Sequence, residues 1–139
     1  MNRVVIDANV LASAAAGHPE SPSRRLLYAV GSGRIEVILC EHVLRELDRA
    51  LARPYFAARL TDVERQTLDA VLRAAADMYP DPAAPEAVVR DREDDYLVAL
   101  ARSARAEAIV TGDRDLLDHD GLMPPAITPR EACERFGLP

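Results

Sequence analysis

Short runs of β-branched residues alternate along this chain with stretches of helical periodicity, and that alternation restricts the fold more than any other feature. Arg3–Ile6 is one such run and leads straight into Asp7; Glu36–Cys40 is a second; Ala108–Thr111 is a third, ending at Gly112 and Asp113. Apolar residues in unbroken succession over so few positions are the pattern of strands buried on both faces. Between them, Val10–Ala16 reads as a short helix broken by Gly17, His18 and Pro19, and the Ser21–Ser23 segment starts another that Gly31–Gly33 ends. Val43, Leu44, Leu47 and Leu51 recur at helical spacing until Pro54, and Thr61 with Glu64 makes a capping box for a helix running towards Met78. Pro80–Pro85 reads as a loop and Ala87–Val89 as a third short strand. Asp94, Leu97, Val98, Ala101 and Ala104 share one helical face. Ala126 and Ile127 form an edge strand before a last helix, with Thr128 as N-cap and Pro129 at its first position, that reaches Gly137.

Strands alternating with helices predict an α/β fold, a parallel sheet covered on both faces with right-handed crossovers. At 139 residues, 49% of them hydrophobic, the chain suits a single domain, 1–139, built on one core. Its longest apolar stretches fall far short of the roughly 18 residues a membrane span needs. Asp7 interrupts the first apolar run before the core of a signal peptide can form, so a cytoplasmic protein without a membrane partner is expected. Cys40 and Cys133 lie far apart in no CxxC pattern, which reads as two ordinary buried thiols in a reducing compartment.

The net charge of −6 argues against a protein that binds nucleic acid by positive charge alone. It leaves room for a nuclease, because acids grouped around bound cations present a very different field to RNA than their formal charge implies. Every basic residue apart from the three histidines is arginine, a planar donor fork suited to phosphate, although a GC-rich coding sequence is the plainer explanation. Arg24, Arg25, Arg49 and Arg53 are candidate phosphate contacts, with ordinary solvated surface as the competing explanation and none of them singled out.

In parallel sheets the carboxyl ends of the strands line the ligand crevice, and that is where Asp7 and Asp113 fall. Glu46 sits on the margin of the Val43, Leu44, Leu47 and Leu51 stripe and can lean over a sheet end. Asp94 shares the face of Leu97, Val98 and Ala101, so it either caps the amino end of its helix or shares a metal with other acids. Taken together, Asp7, Glu46, Asp94 and Asp113 can converge from four segments on one sheet edge. Such a group repels itself strongly unless a hard cation with oxygen ligands, Mg²⁺ or Mn²⁺, sits within it. Ions so held activate water and stabilise a leaving oxygen, which makes RNA hydrolysis the candidate reaction. Asp95 either shares the ligand role of Asp94 or is a solvated helix residue. Asn9 and Thr111 can orient the carboxylates, though both types are common in plain turns and strand ends. Asp91 and Asp115 read as surface or capping acids, and His18, His42 and His119 have no metal-ligand spacing.

Nearly the whole chain, through VVIDANVLAS, CEHVLRELDRALARPYF, DREDDYLVALA and IVTGDRDLL, resembles the PIN domain family, and more narrowly the bacterial PIN toxins related to the VapC ribonucleases. The combined order is what carries the likeness: an Asp ending the first strand, a Glu in a Leu-rich helix, an Asp-rich helix start, and T-x-D. The resemblance implies a Rossmann-like three-layer α/β/α sheet and Mg²⁺- or Mn²⁺-dependent endoribonuclease activity. It also implies frequent homodimers and a small antitoxin as partner. Asp7, Glu46, Asp94 and Asp113 match the family's four acids; DREDD stands where relatives usually carry DPDDD, which leaves the main ligand open between Asp94 and Asp95. Arg105 stands in a turn where relatives often have glycine. Two other classes compete. A haloacid dehalogenase would have D-x-D-x-[TV] where this chain has DANVL, and a receiver domain needs a lysine that this chain lacks. A non-catalytic PIN-fold binding module would not need all four acids.

Overall fold

The computed structural model describes residues 2–83 and 92–139. Five strands, β1 (Asn2–Ile6), β2 (Ile35–Leu39), β3 (Asp77–Met78), β4 (Ala108–Val110) and β5 (Ala126–Ile127), form one sheet in the order β3-β2-β1-β4-β5. Every pairing is parallel, with Val4 opposite both Val37 and Ala108. Successive strand residues point to opposite faces. Val4, Val5 and Ile6 are all buried, as are Val37, Ile38 and Leu39, so helices cover both sides of the sheet.

The described helices are α1 (Ala8–Ala16), α2 (Pro22–Gly31), α3 (Glu41–Leu51), α4 (Pro54–Ala57), α5 (Asp62–Ala75), α6 (Arg92–Ser103), α7 (Arg114–Leu117) and α8 (Pro129–Arg135). Helix α1 packs against α2 and α3, α2 packs against α5 and α8, and α6 lies on β1, β2 and β4. Local chemistry fixes the helix starts. Ser21 caps α2 through a hydrogen bond from the Arg24 N–H, and Thr61 and Thr128 open α5 and α8 with complete capping boxes to Glu64 and Glu131. The α/β architecture, the parallel sheet and the closing edge strand thus agree with the expectation from sequence. Among the described residues no helix is long and apolar enough to cross a membrane.

Three differences have physical reasons. Helix α1 begins at Ala8 rather than Val10 because Asp7 accepts a hydrogen bond from the Asn9 N–H (3.3 Å) and so serves as its N-cap. The helix expected to run to Met78 stops at Ala75, and Asp77 and Met78 instead form the third strand, paired with Ile38 and Leu39. Arg3 accounts for that break: its guanidinium on β1 binds the Asp77 carboxylate (3.1 Å) and the Tyr79 hydroxyl (3.1 Å), drawing the segment to the sheet edge. The strand expected at Ala87–Val89 lies outside the described residues. The short helices α4 and α7 were not legible beforehand, being too brief to show a period. Arg105 takes a left-handed backbone (φ 54°), the reason a glycine suits that turn.

From β1 the chain builds outward to β2 and β3, then crosses to the other side of β1 for β4 and β5. The strand order therefore reverses between β1 and β4, and the carboxyl ends of those two strands bound the crevice where open α/β sheets bind ligands.

Candidate active site

Asp7 follows β1 directly, and parallel pairing sets its N–H on the Val110 carbonyl at the end of β4 (2.9 Å). Thr111, fully buried, is the first residue past β4; its hydroxyl donates to Asp7 Oδ2 (2.8 Å) and accepts the Asp113 N–H (3.0 Å). One side chain thereby fixes the acids of two neighbouring strand ends relative to each other. Asp113 in turn caps α7, its Oδ1 accepting the Asp115 N–H at 2.8 Å.

The two other acids arrive from helices. Asp94, on the first turn of α6, is only 3% exposed, as its place on the apolar face requires. Glu46 lies half-buried at the margin of α3 and accepts a hydrogen bond from Arg49 one turn on. A cleft of about 160 Å³ is lined by Asp7, Glu46, Asp94 and Asp113, together with Asn9, His42 and Arg53. All four acids expected to converge do share one cleft. Asp95 is buried, yet it is absent from that lining.

Asp115 is the residue that sequence reasoning passed over. Carboxylate oxygens of Asp94, Asp113 and Asp115 all lie within 4.8 Å of one another. That span is close to the roughly 4.2 Å between opposite ligands of an octahedral Mg²⁺ with bonds of 2.0–2.1 Å. The D-x-D pair opens α7, and the hydrogen bond from the Asp115 N–H to Asp113 reads in sequence as an ordinary helix cap. An all-oxygen donor set, one member deeply buried, fits a hard divalent cation, because three such carboxylates repel one another without one. Asp91 lies outside the described residues.

Of the three histidines, His42 reaches the cleft, its ring stacked on Tyr96 with centroids 4.1 Å apart. Its backbone N–H, at the start of α3, donates to Asp81 Oδ1 (2.9 Å), and Arg45 binds the other oxygen (3.0 Å). Burial alone would push the Asp81 carboxyl up, but these hydrogen bonds prevail and hold it below its ordinary range. Burial pushes the neighbouring Cys40 thiol up to about 11, so it is inert at neutral pH; Cys133 is likewise buried and free.

The candidate arginines separate clearly. Arg24 donates to the Ala15 and Gly17 carbonyls (2.9 and 3.1 Å) and closes the end of α1, while Arg25 binds the Leu138 and Pro139 carbonyls. Arg49 is engaged by Glu46, and Arg53 faces the cleft and donates to Asn9 Oδ1 at 2.9 Å.

A family model described as PIN domain matches residues 3–115. No curated protein matches the chain. Among solved structures, the chain is similar to PAE2754 from Pyrobaculum aerophilum, with a TM-score of 0.66 and 18% identity over 98% of this chain and 90% of that one. It is also similar to a chain in the structure of VapBC2 from Rickettsia felis bound to a DNA fragment from their promoter, with a TM-score of 0.61 and 13% identity over 91% of this chain and 98% of that one.

Proposed function

The chain belongs to the PIN domain family, and from that premise we propose that it is a Mg²⁺- or Mn²⁺-dependent endoribonuclease, the toxin component of a toxin–antitoxin pair. The observation that carries this reading is the meeting of Asp7, Glu46, Asp94 and Asp113 in one cleft at the carboxyl ends of β1 and β4. Residues 1–139 are read as one such domain, acting in the cytoplasm.

Asp94, Asp113 and Asp115 would hold the metal, with Asp94 preferred over Asp95 because it is the Asp94 carboxylate that lies within 4.8 Å of the other two. When bound, Mg²⁺ or Mn²⁺ supplies a water activated at neutral pH and neutralises charge on the phosphodiester. Thr111 orients the Asp7 carboxylate in the cleft through its hydroxyl hydrogen bond. Glu46, which lines the same cleft, would accept a proton from the attacking water as its oxygen bonds to phosphorus and the ester P–O bond breaks. Asp7 and Glu46 line the cleft that would receive the phosphate, and Asp94 brings a third, buried carboxylate to it.

A small antitoxin is the proposed protein partner, and the similarity to a chain of the VapBC2 complex supports it. Tyr28, Val63 and Val71, exposed along a groove between α2 and α5, supply apolar surface for a protein contact of that kind. Self-association into a homodimer is also proposed and is read by light scattering of the purified chain.

The test is cleavage of a mixed RNA pool by wild type and Asp7→Asn side by side, with Mg²⁺, with Mn²⁺ and with EDTA. Metal-dependent cutting that Asp7→Asn loses is the expected result. No cutting by either protein in any metal would overturn the reading.

A further inference from the structure

We propose that Arg53 is the phosphate-binding residue of the cleft, resting on Asn9 in the free protein and transferring to a backbone phosphate of the bound RNA strand. The inference rests on the ribonuclease reading above and deepens it by naming the group that receives the substrate.

Among the described residues that line the cleft, Arg53 is the only cation fixed by positive charge at all pH values, and four carboxylates line it with Arg53. Its partner sets it apart from the arginines nearby. Arg45 sits on Asp81, Arg49 on Glu46 and Arg73 on Glu41 and Asp69, each guanidinium already matched by a carboxylate. Arg53 donates instead to a neutral amide oxygen, Asn9 Oδ1. A phosphate adds the Coulombic attraction of opposite charges, which the amide lacks, and offers two oxygens for a bidentate pair of N–H bonds. A phosphate arriving in the cleft therefore displaces Asn9 at a gain.

The backbone prepares the same exchange. Pro54 follows Arg53 and restricts it to extended geometry, observed at φ −65° and ψ 147°. Its N–H is held by the Ala50 carbonyl (3.1 Å) at the end of α3, and its carbonyl accepts the Phe56 and Ala57 N–H groups that begin α4. The backbone is thus already fixed, and ordering it adds no entropic cost when the side chain grips a ligand. Asn9 is two residues from Asp7 and gives its own N–H to the Asp7 carboxylate, so a guanidinium released from Asn9 stands at the edge of the acid group. Acids that hold metal and one arginine at their rim together match a phosphodiester, which carries one negative charge and two non-bridging oxygens for a planar donor fork.

The experiment measures binding of a fluorescein-labelled single-stranded RNA oligonucleotide in Mg²⁺ over a sodium chloride series. The protein carries Asp7→Asn to prevent cutting, with and without Arg53→Ala. Steady-state cleavage by the otherwise wild-type chain is measured alongside. Arg53→Ala is expected to weaken binding about tenfold and to reduce the slope of log affinity against log salt by about 0.7, the loss of one phosphate contact on a single strand. KM should rise by more than kcat falls. Arg53→Lys keeps the charge and should keep the slope while losing part of the affinity. Asn9→Ala removes the resting contact but leaves the cation, and should also keep the slope; a slope lost equally in Asn9→Ala would make Arg53 a structural brace and overturn the inference. If wild type cuts RNA and Arg53→Ala changes neither KM nor slope, the inference falls and the ribonuclease reading stands. If wild type cuts nothing but the slope still falls with Arg53→Ala, the phosphate site stands and the nuclease reading falls. If RNA neither binds nor is cut, both fall.

Discussion

Thr111 is the smallest part of this molecule with the largest reach. Its buried hydroxyl donates to Asp7 and accepts from the Asp113 N–H, so one oxygen sets the spacing between two strand ends. Thr111→Val preserves shape and removes both bonds. We expect Mg²⁺ affinity, read by the metal concentration for half-maximal cleavage, to drop about 10–100-fold, the usual effect of losing a group that orients a ligand. Stability to urea should fall by roughly 1–3 kcal/mol, because a buried N–H loses its acceptor. An unchanged metal requirement would sever Thr111 from the site. Asp115 provides the companion test: Asp115→Asn should raise the metal requirement about tenfold, whereas a surface acid would leave it alone. The difference between these residues in the sequence is instructive. Asp7 and Asp113 were legible because each follows a strand, and Asp94 because an acid on an apolar face is costly. Asp115 was not legible, since D-x-D at a helix start is equally the pattern of a plain cap, and only the fold brings its carboxylate beside those of Asp94 and Asp113.

At the scale of elements, α3 carries Glu46 into the cleft and owes its position to its first turn. Cys40 stands at the N-cap without a side-chain cap bond, and Asp81, from the loop after β3, supplies an acceptor to the His42 N–H instead. Asp81→Ala should therefore destabilise the protein by ~1 kcal/mol at neutral pH, as the loss of a helix cap does. The folded state holds the Asp81 carboxyl below its ordinary pKa, so its contribution is present above the unfolded value near 4 and disappears as pH falls through the folded one. Urea melts of wild type and Asp81→Ala should differ at pH 7 and coincide at a pH well below the carboxylate range; a gap that persists there would assign the effect to packing. Arg105, at the turn between α6 and β4, makes the opposite case. A left-handed residue with a Cβ costs roughly 1–2 kcal/mol, partly offset by the entropy glycine loses on folding, so Arg105→Gly should raise stability by a few tenths to about 1 kcal/mol. A lower melting temperature would mean that the exposed arginine makes a contact worth more than the strain. Both elements show where pattern gave out. The long helices announced themselves by period and capping boxes, whereas β3 depends on Arg3 reaching across from β1, a pairing of residues far apart in the chain.

For the whole molecule, the strand order β3-β2-β1-β4-β5 brings acids from distant segments to one crevice, and the fold bears a cost for this before any ligand arrives. Carboxylate oxygens of Asp94, Asp113 and Asp115 lie within 4.8 Å of one another in a chain of net charge −6, so like charges repel at this site before a cation is bound. A site built this way trades stability for function, and the trade is measurable. Under the metal reading, Mg²⁺ at about 100 times its dissociation constant should stabilise wild type by about 2.7 kcal/mol, seen as a rise in melting temperature that EDTA abolishes. Asp113→Asn keeps an oxygen to accept the Asp115 N–H, so the cap on α7 survives and only the charge is lost. That variant should melt higher than wild type in EDTA and gain little from Mg²⁺. If it melts lower in EDTA yet still gains the full increment from Mg²⁺, then Asp113 serves the fold through its cap and the ion is held elsewhere. The pair of melts thus separates an acid retained for structure from one retained, at a loss of stability, for the metal.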